Sequence, residues 1–286
     1  MLRFPGKEYL RNTFLDRVRK RLECVFVLST GRVGTESLTN LLNLSHRIHA
    51  CHEPRPRMRS ETKLAYQNPS MSSLFVKDYL NHRYFRRPDT SPMKSCVKQD
   101  LIYVETSNRL TYLAPALAQF FPKSKFIFLH RDPPAVIRSI MRRGYYQGHE
   151  WDDYRIQPRT NDPFSPKWDI FDEFQKCCWY WRAVNEFCIE CINTIEESRT
   201  FNLRSSALFA QDVDSIGRLF RWLKVAPPSD TSVLDATSVS YNAQNQGAFP
   251  EWEDWSQEQR TTMLSIVAPI NEMLGYRYQT DDFGTP

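Results

Sequence analysis

Two short stretches of this sequence hold side chains of the right type and spacing to do chemistry. In the first, the apolar run Cys24-Val25-Phe26-Val27-Leu28 enters Ser29-Thr30-Gly31-Arg32-Val33-Gly34-Thr35-Glu36-Ser37, after which Leu38, Leu41 and Leu42 recur at helical spacing. The pattern predicts strand, loop and helix, with Thr35 or a neighbour capping the helix. Such a loop turns backbone N–H groups and the positive end of a helix toward one point, which favours a bound phosphate or sulfate. Arg32 adds a fixed positive charge inside the loop. In the second stretch, Phe126-Ile127-Phe128-Leu129-His130 reads as a buried strand ending at Arg131-Asp132-Pro133-Pro134, and Ser139 follows Arg131 by eight residues. A guanidinium fork and a hydroxyl near a helix start suit a dianion. A helix-capping surface arginine is the plainer reading of Arg131.

The first loop departs from that of a nucleoside triphosphatase. A Walker loop places four residues between its first Gly and the Gly-Lys-Ser/Thr whose hydroxyl holds Mg²⁺. Here Gly31 and Gly34 are three apart, no Lys follows Gly34, and no obvious partner Asp follows a later strand. An anion loop that calls for no metal suggests sulfuryl rather than phosphoryl donors. A transferring sulfuryl group carries less negative charge and needs less neutralisation.

The elements that must position these residues read as alternating strands and helices. A short strand over 48–53 is stopped by Pro54 and Pro56, which leaves Glu53 at its carboxyl end. Residues 58–95 are polar, with helix expected around 74–87. A strand over 100–105, a helix over 110–121 broken by Pro122, the strand over 126–130 and a helix opened by prolines follow in turn. A last strand is expected over 201–204 and an amphipathic helix through Ile216, Leu219, Phe220 and Leu223. Ser256-Gln257-Glu258-Gln259 is a capping box for a helix that Pro269 should kink or split before Gly275. The fold class is α/β: a single domain over 1–286 with a central parallel sheet flanked by helices. In such sheets the carboxyl ends of the strands face the ligand crevice, so Glu53 falls on the same edge as the anion loop. Between 142 and 172 the pattern fails, and glycines and prolines alternate with Tyr145, Tyr146, Trp151, Tyr154, Phe164 and Trp168. A loop of that length is usually functional in a compact domain.

The 286 residues are 41% hydrophobic and 25% charged, which is ordinary for a globular protein and enough for one large core. A net charge of +5 suits an anionic ligand and is too weak to imply nucleic acid by itself. The basic lead-in over 1–22 reads as a solvated amphipathic helix. No run of about 18 apolar residues predicts a membrane span, and Arg11, Asp16, Arg17 and Arg19 interrupt any signal-peptide core, so a cytoplasmic protein is expected. Seven cysteines, an odd number mostly in apolar contexts, read as reduced core thiols. Cys188-x-x-Cys191 lacks a second ligand pair, so no metal is expected.

In its two motifs the chain resembles the sulfotransferases that use 3′-phosphoadenosine 5′-phosphosulfate. Residues 29–35 are similar to the family's 5′-phosphosulfate loop, and 126–139 to its 3′-phosphate motif. A common family ending, Leu274-Gly275-Tyr276, extends the likeness weakly toward the C-terminus. The resemblance implies a P-loop-like architecture in which Thr30, Gly31, Arg32, Val33, Gly34, Thr35, Glu36 and Ser37 hold the phosphosulfate. It also implies that Arg131 and Ser139 hold the 3′-phosphate, and that Arg32 neutralises the bridging oxygen as the leaving nucleotide forms. Cytosolic relatives carry a catalytic His after the strand preceding the Arg/Ser motif; here that place reads Glu105-Thr106-Ser107-Asn108. Protein-tyrosine and some bacterial sulfotransferases carry a Glu after the second strand, which resembles Glu53. Glu53 is therefore the expected base, with Glu105 second and His52 third; a Glu53 merely salt-bridged to Arg55 or Arg57 is the plainer alternative. The family's C-terminal Arg-Lys-Gly loop is matched only by Gln246-Gly247. Both basic residues are missing, which leaves Gln246 and the Gly247 amide as phosphate contacts and Arg138, Arg142 or Arg143 as substitutes.

The expected reaction is in-line transfer of a sulfuryl group from 3′-phosphoadenosine 5′-phosphosulfate to an acceptor hydroxyl, with a carboxylate base and no metal, nucleic acid or membrane partner. An atypical P-loop kinase or NTPase, and a non-catalytic anion or nucleic-acid binding module using the arginines of 55–59 and 83–87, are the alternatives. The aromatic 144–171 segment and the helix carrying Trp179-Tyr180-Trp181 are expected to wall the acceptor pocket. Phenol, alkaloid, sugar and peptide tyrosine stay open as acceptors, as does the oligomeric state.

Overall fold

The computed structural model describes residues 18–85, 91–238 and 247–278. Gln246 and most of the lead-in segment lie outside the described residues; only its end, residues 18–21, is seen as helix. Five strands form one sheet: β1 (Cys24–Leu28), β2 (Ile48–Cys51), β3 (Ile102–Glu105), β4 (Lys125–His130) and β5 (Thr200–Arg204). Their order is β2-β3-β1-β4-β5, and every pair is parallel. All five β1 residues are at most 1% exposed, so its apolar run is a strand covered on both faces. Phe26 at its centre touches the rings of Tyr79, Phe121 and Phe126.

Register brings the strand ends together. Phe26 lies opposite Glu105 of β3 and Phe126 of β4, and Cys51 lies opposite Glu105. From β1 the chain goes out to β2, returns through β3, then crosses to β4 and β5 on the other side of β1. The strand order therefore reverses beside β1, the place where a ligand crevice opens at the carboxyl edge.

The helices that matter for the site are α1 (Thr35–Leu42), α2 (Arg59–Gln67), α3 (Ser72–Leu80), α4 (Pro92–Gln99), α5 (Ala114–Phe120), α6 (Pro133–Met141), α7 (Glu173–Asn193), α8 (Ser205–Phe209), α9 (Val213–Trp222), α10 (Asp230–Ser238) and α11 (Gln257–Met273). Several depart from the sequence reading. The helix expected over 110–121 is a 3₁₀ segment, Asn108–Leu113, leading into α5, because Pro115 lacks the N–H that an earlier start would require and serves as a first-turn residue instead. The strand expected from 100 begins two residues later, since Asp100 caps α4 in the left-handed region at φ 53°. The polar 58–95 stretch carries α2, α3 and α4, where helix was expected only around 74–87. Pro269 does not split α11, which runs unbroken behind the expected Ser256/Gln259 capping box.

The aperiodic 142–172 stretch is held by local polar bonds rather than by a ladder. The Asp152 carboxylate accepts from the backbone N–H groups of Tyr146, Gly148 and His149 at 3.0, 2.9 and 3.2 Å and pairs with Arg155. The Arg155 guanidinium in turn covers the ring of Tyr145. These contacts hold the Asp152 carboxyl below its ordinary value against the opposing effect of burial. Trp168 packs edge-on against Tyr146 and Trp179, joining the stretch to the one contiguous core.

Candidate active site

The loop after β1 owes its shape to three residues in the left-handed region: Gly31 (φ 75°), Arg32 (φ 61°) and Gly34 (φ 87°). A Cβ on Gly31 would meet the Asn108 amide at 2.9 Å, and one on Gly34 would meet the Phe209 ring at 3.0 Å, so both positions need glycine. Gly34, not Thr35, is the N-cap of α1, and no side chain caps that end. The cap is thus the neighbour of Thr35, because the left-handed turn is made at Gly34 and Thr35 is already helical. The first bond of the helix is Leu38 N–H to Gly34 O at 2.9 Å, so the N–H groups of residues 35–37 have no acceptor within it. Meanwhile the loop's carbonyls are tied from behind. Thr30 O accepts from Tyr180 Oη at 2.8 Å, Ser29 O from Thr111 Oγ1 at 3.2 Å, and Val33 O from Ser205 Oγ. The side chains of Thr30 and Val33 point into the core, at most 1% exposed, whereas Gly31, Arg32, Gly34, Thr35, Glu36 and Ser37 border a cavity of about 480 Å³.

The second motif opens onto the same cavity. Asp132 caps α6 by accepting from Ala135 N–H at 2.9 Å, and Pro133 and Pro134 occupy its first turn. Arg131 is held at the mouth of that turn, its carbonyl accepting from Trp181 Nε1 at 3.0 Å and its guanidinium lying 4.9 Å from the Phe209 ring centre. Two turns on, Ser139 Oγ accepts from Arg32 Nε at 3.0 Å, joining the two motifs in one hydrogen bond across 107 residues of sequence. Arg138 pairs with Glu251 at 2.6 Å, and Arg142 Nε donates to Gly247 O at 3.1 Å. Gly247 is packed so closely on Arg142 that a Cβ would lie 2.5 Å from its carbonyl. It borders an adjoining cavity with Arg142 and Arg143 rather than the first one.

Charge is concentrated here beyond anything the chain's total suggests. Eight arginines border the first cavity (32, 57, 59, 109, 131, 138, 142 and 143) against the three carboxylates of Glu36, Glu53 and Glu251. Burial and the neighbouring Arg143 guanidinium, with Arg131 adding to them, lower the Arg32 pKa below its ordinary value against the opposing pull of Tyr145 and Glu53. Cations crowded into a concave site attract an anion to it.

The structure separates the three base candidates. Glu53 sits just past β2 in the left-handed region at φ 38° and borders the cavity, with Oε2 3.5 Å from Arg57 Nε. The alternative pairing with Arg57 is therefore present without removing the carboxylate from the cavity. Glu105 is fully buried: Oε2 accepts from Tyr79 Oη, Tyr103 Oη and Arg83 Nε at 2.8, 2.7 and 3.1 Å, and Oε1 from Arg83 Nη2 at 3.0 Å. It does not border the cavity, so the second-choice base is a structural ion pair. Arg83 Nη2 also donates to Pro54 O and Pro56 O at 3.0 Å each, which fixes the chain immediately after Glu53. His52 borders the cavity with Nδ1 3.1 Å from Thr106 Oγ1.

Sequence reasoning missed Arg57, Arg59, Asn108, Arg109 and Phe209 as cavity residues. Asn108 and Arg109 follow directly on β3, and strand-end placement alone was a signal for them. Phe209 arrives on α8 and carried none. The walls expected from Trp179 and Trp181 are a correction, because both are 0% exposed, with their indole N–H groups given to Asp162 Oδ2 and Arg131 O. Of the 144–171 aromatics, Tyr145 borders the first cavity and Trp151 and Tyr154 a second one, while Phe164 and Trp168 pack against the core. Among the described residues no three His, Cys, Asp or Glu side chains converge, and all seven cysteines are free thiols.

A sequence pattern described as the Sulfotransferase family matches residues 24–227. No curated protein matches the chain in sequence. Among solved structures, the fold is similar to that of a sulfotransferase domain from the curacin biosynthetic pathway, with 14% identity, a TM-score of 0.52, and coverage of 91% of this chain and 100% of that one. A sulfotransferase domain of the olefin synthase of Synechococcus PCC 7002 gives the same identity and score, covering 91% and 97%. The sulfotransferase STF9 of Mycobacterium avium matches at 14% identity and a TM-score of 0.50, covering 93% and 80%. At such identities the likeness is one of fold.

Proposed function

The chain belongs to the sulfotransferase family, and from that premise we propose that it transfers a sulfuryl group from 3′-phosphoadenosine 5′-phosphosulfate to an acceptor hydroxyl, with Glu53 as base. One observation carries the reading. The uncapped start of α1, and Arg131 before α6 together with Ser139 on it, are two anion stations in one arginine-rich cavity, linked by the Arg32–Ser139 bond. That arrangement fits a nucleotide with a phosphosulfate at one end and a phosphate at the other. When bound, the donor supplies the electrophilic sulfur and a leaving phosphate.

The roles then follow from the chain's own groups. The N–H groups of residues 35–37 and the Arg32 guanidinium hold the 5′ end, while Arg131, Ser139 and Arg143 hold the 3′ end. Glu53 accepts the proton of the acceptor hydroxyl as its oxygen bonds to sulfur and the bond from sulfur to the bridging oxygen breaks. Arg32 compensates the negative charge that grows on that bridging oxygen, an interaction strongest in the transition state. Arg57 keeps the Glu53 carboxylate aimed into the cavity, and the Arg83–Glu105 pair anchors the backbone behind it.

The test is a titration with 3′,5′-adenosine diphosphate, the donor without its sulfuryl group, in a chelator. Binding without metal is expected, and Arg131→Ala should weaken it by roughly tenfold to a hundredfold, as the loss of charge-assisted hydrogen bonds of about 1.5–3 kcal/mol implies. Unchanged affinity in the variant, or a requirement for Mg²⁺ and nucleoside triphosphate, sinks the reading.

A further inference from the structure

Beside the first cavity lies a second, of about 1360 Å³, and the two share Arg57 and Arg59 as a common wall. Glu53 borders the first and the four residues after it border the second, so the expected base stands where the cavities meet. On the reading of Glu53 given above, the second cavity is the approach of the acceptor. Its lining combines arginines with prolines and two aromatic rings. No Leu, Ile, Val or Phe borders it among the described residues, and its one Met, Met58, is 2% exposed. Its apolar surface comes from Pro54, Pro56, Pro92 and the rings of Trp151 and Tyr154 rather than from branched aliphatic side chains. No strand borders it either, which removes the backbone ladder that an extended peptide commonly joins.

What the cavity does offer is positive charge in excess of its partners. Arg55, Arg57 and Arg59 border it against one carboxylate, Glu61, and Arg109 stands on the first cavity beside the shared wall, where Glu53 pairs with Arg57. Nε of Arg59 and Nε of Arg109 are buried and make no hydrogen bond. Burial lowers the Arg59 pKa below its ordinary value, and the facing Arg109 and Arg57 guanidinium groups add to that effect. The start of α2 opens at the same place, with Met58 as a left-handed N-cap and no side chain closing it. Beside this cluster stand two exposed rings. Trp151 is 47% exposed with Arg59 4.1 Å from its ring centre, and Tyr154 is 36% exposed. The 3₁₀ turn Glu150–Tyr154 that carries them is tied to α2 by Lys63 Nζ donating to Asp153 O at 2.8 Å.

We propose that the acceptor is an acidic glycan, whose rings stack on Trp151 and Tyr154 and whose carboxylates or sulfate esters pair with Arg57, Arg59 and Arg109 while a ring hydroxyl is presented to Glu53. Sugar rings have one apolar face suited to an exposed indole, and guanidinium forks suit carboxylate and sulfate alike. Electrostatic pairing fixes the register of the chain, so the hydroxyl that reaches Glu53 neighbours an anionic substituent.

The experiment measures binding by calorimetry in the presence of saturating 3′,5′-adenosine diphosphate. Tetragalacturonate is compared with its carboxyl-reduced form, a sulfated galactan tetrasaccharide with its desulfated form, and both pairs with a tyrosine peptide flanked by glutamates. At least tenfold tighter binding of the acidic member of one pair is expected, and which pair responds tells carboxylate from sulfate. Arg59→Gln and Trp151→Ala should each weaken that binding about tenfold, and Trp151→Ala should leave the affinity for 3′,5′-adenosine diphosphate within twofold. Equal binding of acidic and neutral glycans, tighter binding of the peptide, or indifference to both substitutions overturns the inference. Failure of the protein to bind 3′,5′-adenosine diphosphate at all would instead overturn the reading of the donor site, so the two failures are distinguishable.

Discussion

Adjacent strands of this sheet lead at their carboxyl ends to glutamates with opposite fates. Cys51 of β2 and Glu105 of β3 stand opposite one another in register, and Glu53 follows two residues after Cys51. Glu105 is fully buried, with four hydrogen bonds from two tyrosines and Arg83. Glu53 retains about a quarter of its side-chain exposure and a single ion pair at 3.5 Å. A carboxylate saturated by fixed donors is a poor proton acceptor and a good strut, whereas one with open lone pairs at a cavity is available for chemistry. The end of β4 repeats the contrast one residue apart. His130 is buried between Asn202 Oδ1 at 2.7 Å and Tyr276 Oη at 2.8 Å, while Arg131 borders the cavity. In both places, burial with complete pairing marks the group that builds the site, and partial exposure marks the group that can act.

Exchanging the two glutamates' fates is the sharpest way to break that comparison. Glu105→Gln leaves the Arg83 charge buried without its counterion and should cost about 3–5 kcal/mol of stability, a fall of roughly 10 °C in Tm by calorimetry. Glu53→Gln should leave Tm within about 1 °C and lower kcat by roughly 10²–10⁴ with labelled donor, the range of a lost general base. A Glu105→Gln protein that melts like the parent and loses turnover would reverse the assignment of the two residues.

The contrast at β4 makes a smaller prediction in pH. Burial lowers the His130 pKa from 6.5 to about 4, the Asn202 hydrogen bond opposing it and the Arg204 charge adding to it. A histidine whose folded value is depressed contributes stability that is fully present above about 6.5 and lost as pH falls toward 4. The stability measured by denaturant should therefore fall by at most about 3 kcal/mol across that window through this group, and the slope should flatten in His130→Gln. A slope unchanged in the variant would show that His130 is not the group responsible.

Much of the scaffold was legible because its signals are local. The apolar runs of β1 and β4, the prolines opening α6, and the Ser256/Gln259 capping box each specify an element through a few neighbouring residues. Boundaries moved where a left-handed residue intervened, at Gly34 and Asp100, since a single φ value is weakly encoded in side-chain type outside glycine. The aromatic walls were misread in part because Trp179 and Trp181 of α7 do not differ in type from Trp151, and only packing decides which ring faces the core.

The sequence by itself determined the two loop motifs, their strand-to-helix setting and the parallel sheet that places both at one edge. Those follow from backbone geometry and hydrophobic period, which act over a handful of residues. Tertiary structure alone decided which glutamate keeps an open carboxylate, which arginines share a cavity, and that Arg32 meets Ser139 across 107 residues. Each of those outcomes depends on burial and on partners contributed by distant strands and helices. Long-range packing sets both, and residue type or spacing along the chain does not carry that information.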